Sequence, residues 1–210
     1  MATKTAERRE ELRGALIDAA ERTIAAGGLE ALRARELAEE VGCAVGAIYN
    51  VFPNLDALIF EVNARTLRAF EAFLSEANKT PARSEENSAV AELVHLALVY
   101  LEFAVEHRPR WRALFEHRMA AGSKMPEWYL GEQARLFALV EGPLRRLRPD
   151  LDGDPPMLFA RTMFSGVHGI VSLGLDAKLM ALPVAILQKE VSEFVRVLGR
   201  GLLAAPAMPE

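Results

Sequence analysis

The stretch from Val45 to Asn54 reads VGAIYNVFPN and contains no charged residue. It follows a short segment, Arg35 to Val41, in which apolar residues recur at three- and four-residue steps, as on one face of a helix. The tripeptide Gly42-Cys43-Ala44 separates the two, and glycine readily ends a helix. We therefore predict two short helices, the second from about residue 44 to 51. This is a helix-turn-helix pattern, and its DNA-binding version lays the second helix in the major groove.

The rest of the chain shows the same helical periodicity and predicts an all-α fold of about nine helices. No run of β-branched residues alternates with polar ones between turn residues, as a strand would require. The first helix is predicted to stop at Gly27-Gly28, and a long helix is predicted to follow Asn54, which caps it. The polar stretch KTPARSEEN, residues 79–87, is the predicted linker. Later helices are predicted to open at Pro109 (through Met119), Pro126, Pro155-Pro156 and Pro183.

Composition and charge exclude several classes of protein. Apolar residues make up 51% of the 210 residues and charged residues 26%, as in an ordinary globular protein with a core. The net charge of −4 gives no global basic field that would attract nucleic acid or anionic membrane. Cys43 is the single cysteine, which rules out an internal disulfide and fits a reducing compartment. The charged N-terminus lacks a signal-peptide core, and the apolar run 157–175 is interrupted by Arg161 and His168, so we expect a cytoplasmic protein.

Several residues at fixed spacing agree with one known family. They follow a helix that ends in AAGG at 25–28, and they are Ala38, Gly42, Gly46, Ile48, Tyr49, Phe52, Pro53, Asn54, Asp56, Ala57 and Leu58. This pattern resembles the TetR family of bacterial transcriptional regulators over roughly residues 16–58. The second half is similar, less specifically, to the TetR subgroup whose C-terminal domain is named for Trp, His and Gly. WRALFEHRM at 111–119 and GVHG at 166–169 carry that likeness.

The resemblance implies which residues face DNA. In the family the position of Tyr49 typically contacts the DNA backbone, and an arginine at the position of Arg35 often touches a base or the backbone. Ile48 and Phe52 are expected to face inward, and Tyr49 and Asn50 to point out, where both can donate to phosphates or bases. Ordinary exposed side chains are the alternative. The candidate DNA-binding residues are Arg33, Arg35, Ala44, Val45, Gly46, Ala47, Tyr49, Asn50 and Asn54.

The chain also departs from the family pattern. The family commonly has Ser or Thr at the positions of Ala44 and Ala47, a polar residue at that of Val45, and Lys at that of Leu55. This chain has an apolar residue at all four positions. Residues 1–58 carry seven Lys and Arg against ten Asp and Glu, a net charge of −3. Because phosphate contacts supply most non-specific affinity, this balance predicts weak non-specific binding. Two interpretations stay open, namely a sequence-specific regulator and a TetR-like ligand-binding dimer that has lost DNA binding.

A TetR-like C-terminal half is expected to enclose a small-molecule cavity. Ordinary core packing is the alternative for its aromatic and methionine residues. The four histidines lack metal-site spacing such as HExxH, and for His117 and His168 structural hydrogen bonding is favoured over a ligand contact. We expect no metal and no cofactor. The candidate ligand contacts are Trp111, Phe115, Met119, Trp128 and His168.

The apolar helix over 157–175 is also a candidate for subunit contact. Small residues at Ser165, Gly166, Gly169 and Ser172 let a second helix approach closely. With the last helix it is predicted to form a four-helix contact between two copies, as the family usually does, and an intramolecular core is the alternative. The candidate dimer-interface residues are Phe164, Ile170, Val191, Phe194 and Leu198.

No sequence signature of an enzyme accompanies these features. The nucleophile elbow, the glycine-rich phosphate loop, paired histidine ligands and a redox cysteine pair are all missing, so no catalytic residue is assigned. Residues 1–54 are the predicted helix-turn-helix domain, and residues 55–210 the predicted ligand-binding and dimerisation domain, with a linking helix over about 55–78. The resulting hypothesis is a homodimeric repressor that binds palindromic double-stranded operator DNA and is released by a small, largely apolar effector.

Overall fold

The computed structural model describes residues 2–77, 88–119, 122–150, 155–177 and 181–204. Every regular element in these ranges is helical, so the predicted all-α class and the predicted number of helices are confirmed. The predicted linker, residues 79–87, lies outside the described residues. The α-helices are α1 (Ala2–Gly27), α2 (Ala34–Val41), α3 (Val45–Val51), α4 (Leu55–Ala77), α5 (Ser88–Glu106), α6 (Arg108–Glu116), α7 (Glu127–Leu147), α8 (Pro155–Gly174) and α9 (Val184–Ala204), with a short 3₁₀ turn at Leu29–Ala31.

Glycines and prolines set the helix boundaries, as predicted. Gly28, after α1, and Gly42, after α2, have φ angles of 75° and 74°, positive values that glycine adopts without steric cost. Prolines open or directly precede α6, α7, α8 and α9. One predicted boundary is wrong: α6 ends at Glu116 because His117 has an extended backbone, so Met119 lies beyond the helix.

The residues divide into two compact units that alternate along the chain. Unit 1 comprises Met1–Ala69 and His107–Leu130, and unit 2 comprises Phe70–Glu106 and Gly131–Glu210. Two of the three divisions fall inside α4 and α7, so each of these helices contributes residues to both units, and the third falls between α5 and α6. The functional boundary after residue 54 stays a prediction.

Unit 1 is built around one apolar core to which five helices contribute. Leu16, Ala20 and Ile24 of α1 lie four residues apart and therefore share one helix face. This core holds α2 and α3 against α1, and so fixes which face of α3 is left outside. Its buried members are Leu16, Ile17, Ala19, Ala20, Ile24, Leu32, Leu37, Ala38, Ile48, Phe52, Leu58, Ile59, Val62 and, from α6, Ala113.

Unit 2 packs α8 directly against α9, and glycines allow the close contact. A Cβ on Gly166 of α8 would lie 2.3 Å from Cζ of Phe194 in α9, and one on Gly174 would lie 2.2 Å from Cδ2 of Leu187. Larger residues at these two positions would push the helices apart. A smaller cluster at the junction of α4, α5 and α7 is formed by Leu74, Leu96 and Val99.

Candidate functional site

Helix α3 has one face in the core and one face exposed. Ile48 is 0% exposed and Phe52 is also buried, which confirms that they face inward. Tyr49 is 48% exposed and Val45 is 39% exposed, and Asn50 is exposed beside them. The short helix is therefore anchored by its inner residues, while Val45, Tyr49 and Asn50 are available to a partner.

The N-terminal end of α3 carries the least polar part of this exposed face. Ala44 is the N-cap residue and has no side chain that caps the helix, and Ala44 and Gly46 are exposed while Ala47 is half-buried. A Cβ added at Gly46 would meet no heavy atom within 4 Å, and its backbone is not among the positive-φ glycines. The fold of the chain itself therefore gives no reason for a glycine at position 46.

The two candidate DNA-binding arginines, Arg33 and Arg35, differ in the contacts of their guanidinium groups. Arg33, the N-cap residue of α2, donates from Nη1 to the carbonyl oxygen of Glu30 and, at 3.1 Å, to that of Leu32. Its guanidinium therefore closes the turn before α2. Arg35 is exposed in the first turn of α2, and no ion pair joins it to another side chain in the described part of the chain.

Asn54 and Asp56 link α3 to the start of α4. The backbone N–H of Ala57 donates to Oδ1 of Asn54 at 2.9 Å, which confirms the predicted cap and occupies one of the two polar groups of this candidate residue. Oδ1 of Asp56 lies 2.8 Å from Nε2 of His117, at the end of α6, and Phe60 packs its edge against the same imidazole. The start of α4 is thus tied to α6 within unit 1.

The charge of unit 1 differs from that of the N-terminal sequence alone. Residues 1–69 and 107–130 together hold fourteen Lys and Arg and thirteen Asp and Glu, a net charge of +1. Two acidic groups of α1 are paired: Arg65 lies 2.5 Å from Asp18 and 2.9 Å from Glu21, and Arg110 lies 3.2 Å from Glu21. Residues 1–58, which are net negative, are therefore only part of the unit that folds around α3, and the whole unit is not net negative.

A polar pair lies among aromatic rings in unit 2. The hydroxyl of Tyr100 and Nδ1 of His168 are 2.7 Å apart, and Phe164 stacks on His168 with ring centroids 5.8 Å apart. Phe137 and Phe70 pack against Phe164 and Tyr100 respectively. Burial lowers the pKa of His168 below its ordinary value, since a desolvated imidazolium is disfavoured.

We expect the stability of the protein to fall as the pH is lowered from about 7 to about 5. Because the folded state depresses the pKa of His168, the unfolded chain takes up this proton at a higher pH, and protonation favours unfolding. The contribution of neutral His168 to the free energy of unfolding is fully present above the ordinary histidine pKa. It is lost as the pH falls through the lowered pKa of the folded state. Thermal melts of the parent and of His168→Gln across this range test it. If the melting temperatures of the two proteins changed with pH to the same extent, the assignment to His168 would be contradicted.

The other candidate ligand contacts lie in unit 1. Trp111 is buried and packs edge-on against Phe115, with centroids 5.7 Å apart, while Phe115 and Trp128 are exposed. Met119 is half-buried. Their role as ligand contacts stays a prediction. For His117 and His168 the favoured hydrogen-bonding interpretation agrees with the geometry, through Asp56 and Tyr100 respectively.

The predicted dimer residues need one clear correction. Val191 is 0% exposed, so its side chain packs inside unit 2 and is not available to a second copy. Phe164 contributes its ring to the aromatic group around His168, and Phe194 covers Gly166. Ile170 and Leu198 are half-buried. The strongly exposed apolar side chains of α8 and α9, which the sequence did not single out, are Leu158, Leu173, Val184, Ile186, Val197 and Leu203.

Two other kinds of site have no candidate in the described ranges. No group of three or more His, Cys, Asp or Glu side chains there is placed to hold a metal ion. No helix in the same part of the chain is long and apolar enough to cross a membrane.

Comparison with known proteins identifies the family. The sequence model of the bacterial regulatory proteins of the tetR family matches residues 16–62, the segment that contains α2, α3 and the start of α4. A second model, the tetracyclin repressor-like C-terminal domain, matches residues 93–197. This chain belongs to the TetR family. The matching C-terminal model does not confirm the Trp-His-Gly subgroup, which stays a prediction.

Solved structures show the same fold at low sequence identity. A protein of unknown function from Rhodococcus sp. RHA1 is 23% identical, over 94% of this chain and 96% of its own, with a TM-score of 0.63. RolR, in complex with resorcinol, is 20% identical over 98% of each chain, with a TM-score of 0.62. The multidrug-binding protein EbrR, in complex with imidazole, is 22% identical over 93% of this chain and 96% of its own, with a TM-score of 0.57. The search of curated proteins found no match.

Proposed function

We propose that this TetR-family regulator is a repressor that binds a palindrome-like operator as a homodimer and is released by a small, largely apolar molecule. The observation that carries the proposal is the division of α3 into a buried face and an exposed face with Tyr49 and Asn50. With a net charge of +1, unit 1 is close to neutral and does not carry the net negative charge that would repel DNA phosphates. Two copies would place their recognition helices one DNA turn apart, about 34–36 Å.

Fluorescence anisotropy tests the DNA-binding part of the proposal. The purified protein is titrated against labelled DNA from upstream of its own coding sequence, at low and moderate salt, with scrambled DNA as control. We expect binding that exceeds the scrambled control and survives added salt, because specific contacts are less salt-dependent than phosphate contacts alone. Equal binding to both DNAs would favour the alternative, a TetR-like ligand-binding dimer without sequence-specific DNA binding.

The double variant Tyr49→Phe, Arg35→Ala is expected to weaken operator binding by roughly 30-fold, or about 2 kcal/mol, because it removes a hydroxyl and a cation that can bond phosphate or base. Both side chains are exposed, so folding is expected to be unaffected. Anisotropy gives the affinity, and gel filtration shows whether the dimer persists. Arg145→Ala, at an exposed arginine of α7, is the control. Unchanged binding by the double variant would show that these residues are not the contacts.

Dimerisation is assigned to the outer face of α8 and α9. Leu173 and Val197 are each 58% exposed, which leaves a large apolar area in water in a single chain. A Cβ on Gly169 of α8 or Gly201 of α9 would meet nothing within 4 Å, in contrast to Gly166 and Gly174. The packing within one chain does not explain these two glycines, whereas the close approach of a second copy would.

The double variant Leu173→Glu, Val197→Glu is expected to convert the dimer to monomer at micromolar concentration. Two carboxylates placed in an apolar interface lose their hydration without gaining a partner, which costs several kcal/mol. Analytical ultracentrifugation measures the change. Leu130→Glu, at a similarly exposed leucine of α7, is the matched control and should leave the dimer intact. A dimeric double variant would place the interface elsewhere.

The ligand is assigned to the aromatic group around Tyr100 and His168. The hydroxyl of Tyr100 and Nδ1 of His168 bond each other at 2.7 Å among aromatic rings, and a small ring compound with polar atoms would compete for this hydrogen bond while its ring packs against the aromatic side chains. Resorcinol in RolR and imidazole in EbrR are both small ring compounds with polar groups. To move operator occupancy from nearly full to nearly empty, the ligand must prefer the non-binding state by about 10⁴-fold, or about 5.5 kcal/mol.

Release of labelled operator by a panel of small ring compounds tests this assignment. For a compound that releases the operator, His168→Gln should raise the concentration needed to release half of the DNA. The affinity of the variant for operator without any compound should equal that of the parent. A variant that responds like the parent to every active compound would contradict the assignment to His168.

A further inference from the structure

We infer that α3 reads its operator mainly through the C5 methyl groups of thymine, so that A·T pairs lie under Ala44, Val45 and Ala47 in each half-site. The inference rests on the proposed DNA binding and deepens it by naming the base pairs that this surface recognises. Its support is the chemistry of the exposed face of α3 and the open space at Gly46.

The exposed face of α3 lacks the side chains that read G·C pairs. The helix reads VGAIYNV, without an arginine or lysine to bond the O6 and N7 atoms of guanine and without a carboxylate to accept from N4 of cytosine. Two polar side chains remain on it, Tyr49 and Asn50. The asparagine amide matches N6 and N7 of adenine, so its preference is again for an A·T pair.

The apolar residues occupy the part of the helix that meets the bases. In a helix-turn-helix unit the N-terminal residues of the recognition helix contact base edges. In this chain those residues are Ala44, which is exposed, Val45, which is 39% exposed, and Ala47, which is half-buried. In the major groove the thymine methyl is the apolar group that an alanine or valine side chain can contact. Methyl contacts are therefore the main source of base discrimination at this end of α3.

Short side chains reach the groove floor only if the helix axis lies close to it. Gly46 lies between Val45 and Ala47, and a Cβ there would meet no heavy atom within 4 Å apart from its chain neighbours and the backbone of its own helix. A glycine inside a helix disfavours folding relative to alanine, and nothing in the chain compensates for it at this position. The missing side chain is thus explained by the depth at which α3 must lie for its alanine and valine methyl groups to touch thymine.

The test begins with selection of the operator from a random-sequence DNA duplex pool by the full-length protein. Each thymine of the enriched half-site is then replaced in turn by deoxyuridine, which removes the methyl group and keeps every hydrogen-bonding atom. We expect about a fourfold loss of affinity for each contacted thymine, which corresponds to ~0.8 kcal/mol for one buried methyl group. Deoxyuridine in the flanking DNA is the control and should change nothing.

A double-mutant cycle assigns one methyl group to one side chain. Val45→Ser should abolish the effect of deoxyuridine at one thymine and preserve it at the others. Val105→Ser, at a valine of α5 with a similar exposure of 37%, is the matched control and should behave like the parent. Thermal melts check that each variant is folded.

The outcomes separate this inference from the proposed function. Specific binding with no effect of deoxyuridine at any position, or an enriched core made of G·C pairs, would overturn methyl readout and leave the DNA-binding function standing. A selection that enriches no sequence would overturn both. Loss of affinity at thymines of the half-site alone would establish methyl readout.

Discussion

Gly46→Ala is expected to weaken operator binding by roughly 5- to 140-fold while leaving the protein at least as stable as the parent. The two effects separate because the glycine lies in ordinary helical backbone with open space around its Cα. Alanine is favoured over glycine by about 0.5–1 kcal/mol in the middle of a helix, and Gly46 lies in the first turn of α3, so the free energy of unfolding should stay the same or rise by less than this amount. At a close protein–DNA contact the added methyl overpacks the interface, which costs about 1–3 kcal/mol and corresponds to the stated loss of affinity.

The measurement is a pair of titrations, one with operator DNA and one with urea. Gly131→Ala is the matched control, because Gly131 lies inside α7, is exposed, and its added Cβ would likewise meet no heavy atom within 4 Å apart from its chain neighbours and the backbone of its own helix. It should gain at least as much stability and bind operator like the parent. If Gly46→Ala binds operator as tightly as Gly131→Ala, α3 does not approach the DNA closely at this point.

Local signals were enough to predict the helices. The positive-φ glycines at 28 and 42, the cap at Asn54 and the prolines before later helices are short-range features. The burial of Ile48 and Phe52 also followed from their spacing within one short helix. These features depend on neighbours within about one helical turn, and that is the range over which a sequence pattern is informative.

Membership of α6 in unit 1 could not be predicted in the same way. It depends on contacts between residues far apart in the chain, such as Ala113 in the core formed by α1 to α4 and His117 against Asp56, which are 61 positions apart. The consequence for function is electrostatic. Residues 59–69 of α4 add a net charge of +1 and residues 107–130 add +3, so the charge changes from −3 over residues 1–58 to +1 for the folded unit.

The outward faces of α8 and α9 also could not be predicted from the periodicity of apolar residues. Both helices carry apolar residues on more than one face, so spacing alone does not tell which face packs inside the chain. Val191 was assigned to the interface and is fully buried, whereas Val197, less than two turns later, is 58% exposed. The glycines show which face of α8 packs inside the chain. Side chains of α9 lie against Gly166 and Gly174, whereas none lies against Gly169.

Ile48→Ala is expected to reduce the free energy of unfolding of unit 1 by about 2–5 kcal/mol, because it removes a fully buried side chain from the core. A single domain has only about 5–15 kcal/mol of stability in total, so the loss is large. Ile48→Val should cost about 0.5–1.5 kcal/mol, which gives a graded series at one position. Operator binding should fall in the same order, since the side chain that holds α3 on α1 also orients its exposed face.

The two tryptophans make the measurement specific to unit 1. Trp111 and Trp128 are the only tryptophans in the sequence, and both belong to that unit. Urea unfolding followed by tryptophan fluorescence therefore reports unit 1, while far-UV circular dichroism reports the helices of both units. We expect the fluorescence midpoint to fall in the order parent, Ile48→Val, Ile48→Ala. Val45→Ala, on the exposed face of the same helix, should stay near the parent. A shift for Val45→Ala as large as that for Ile48→Ala would mean that the two faces of α3 have been assigned the wrong way round.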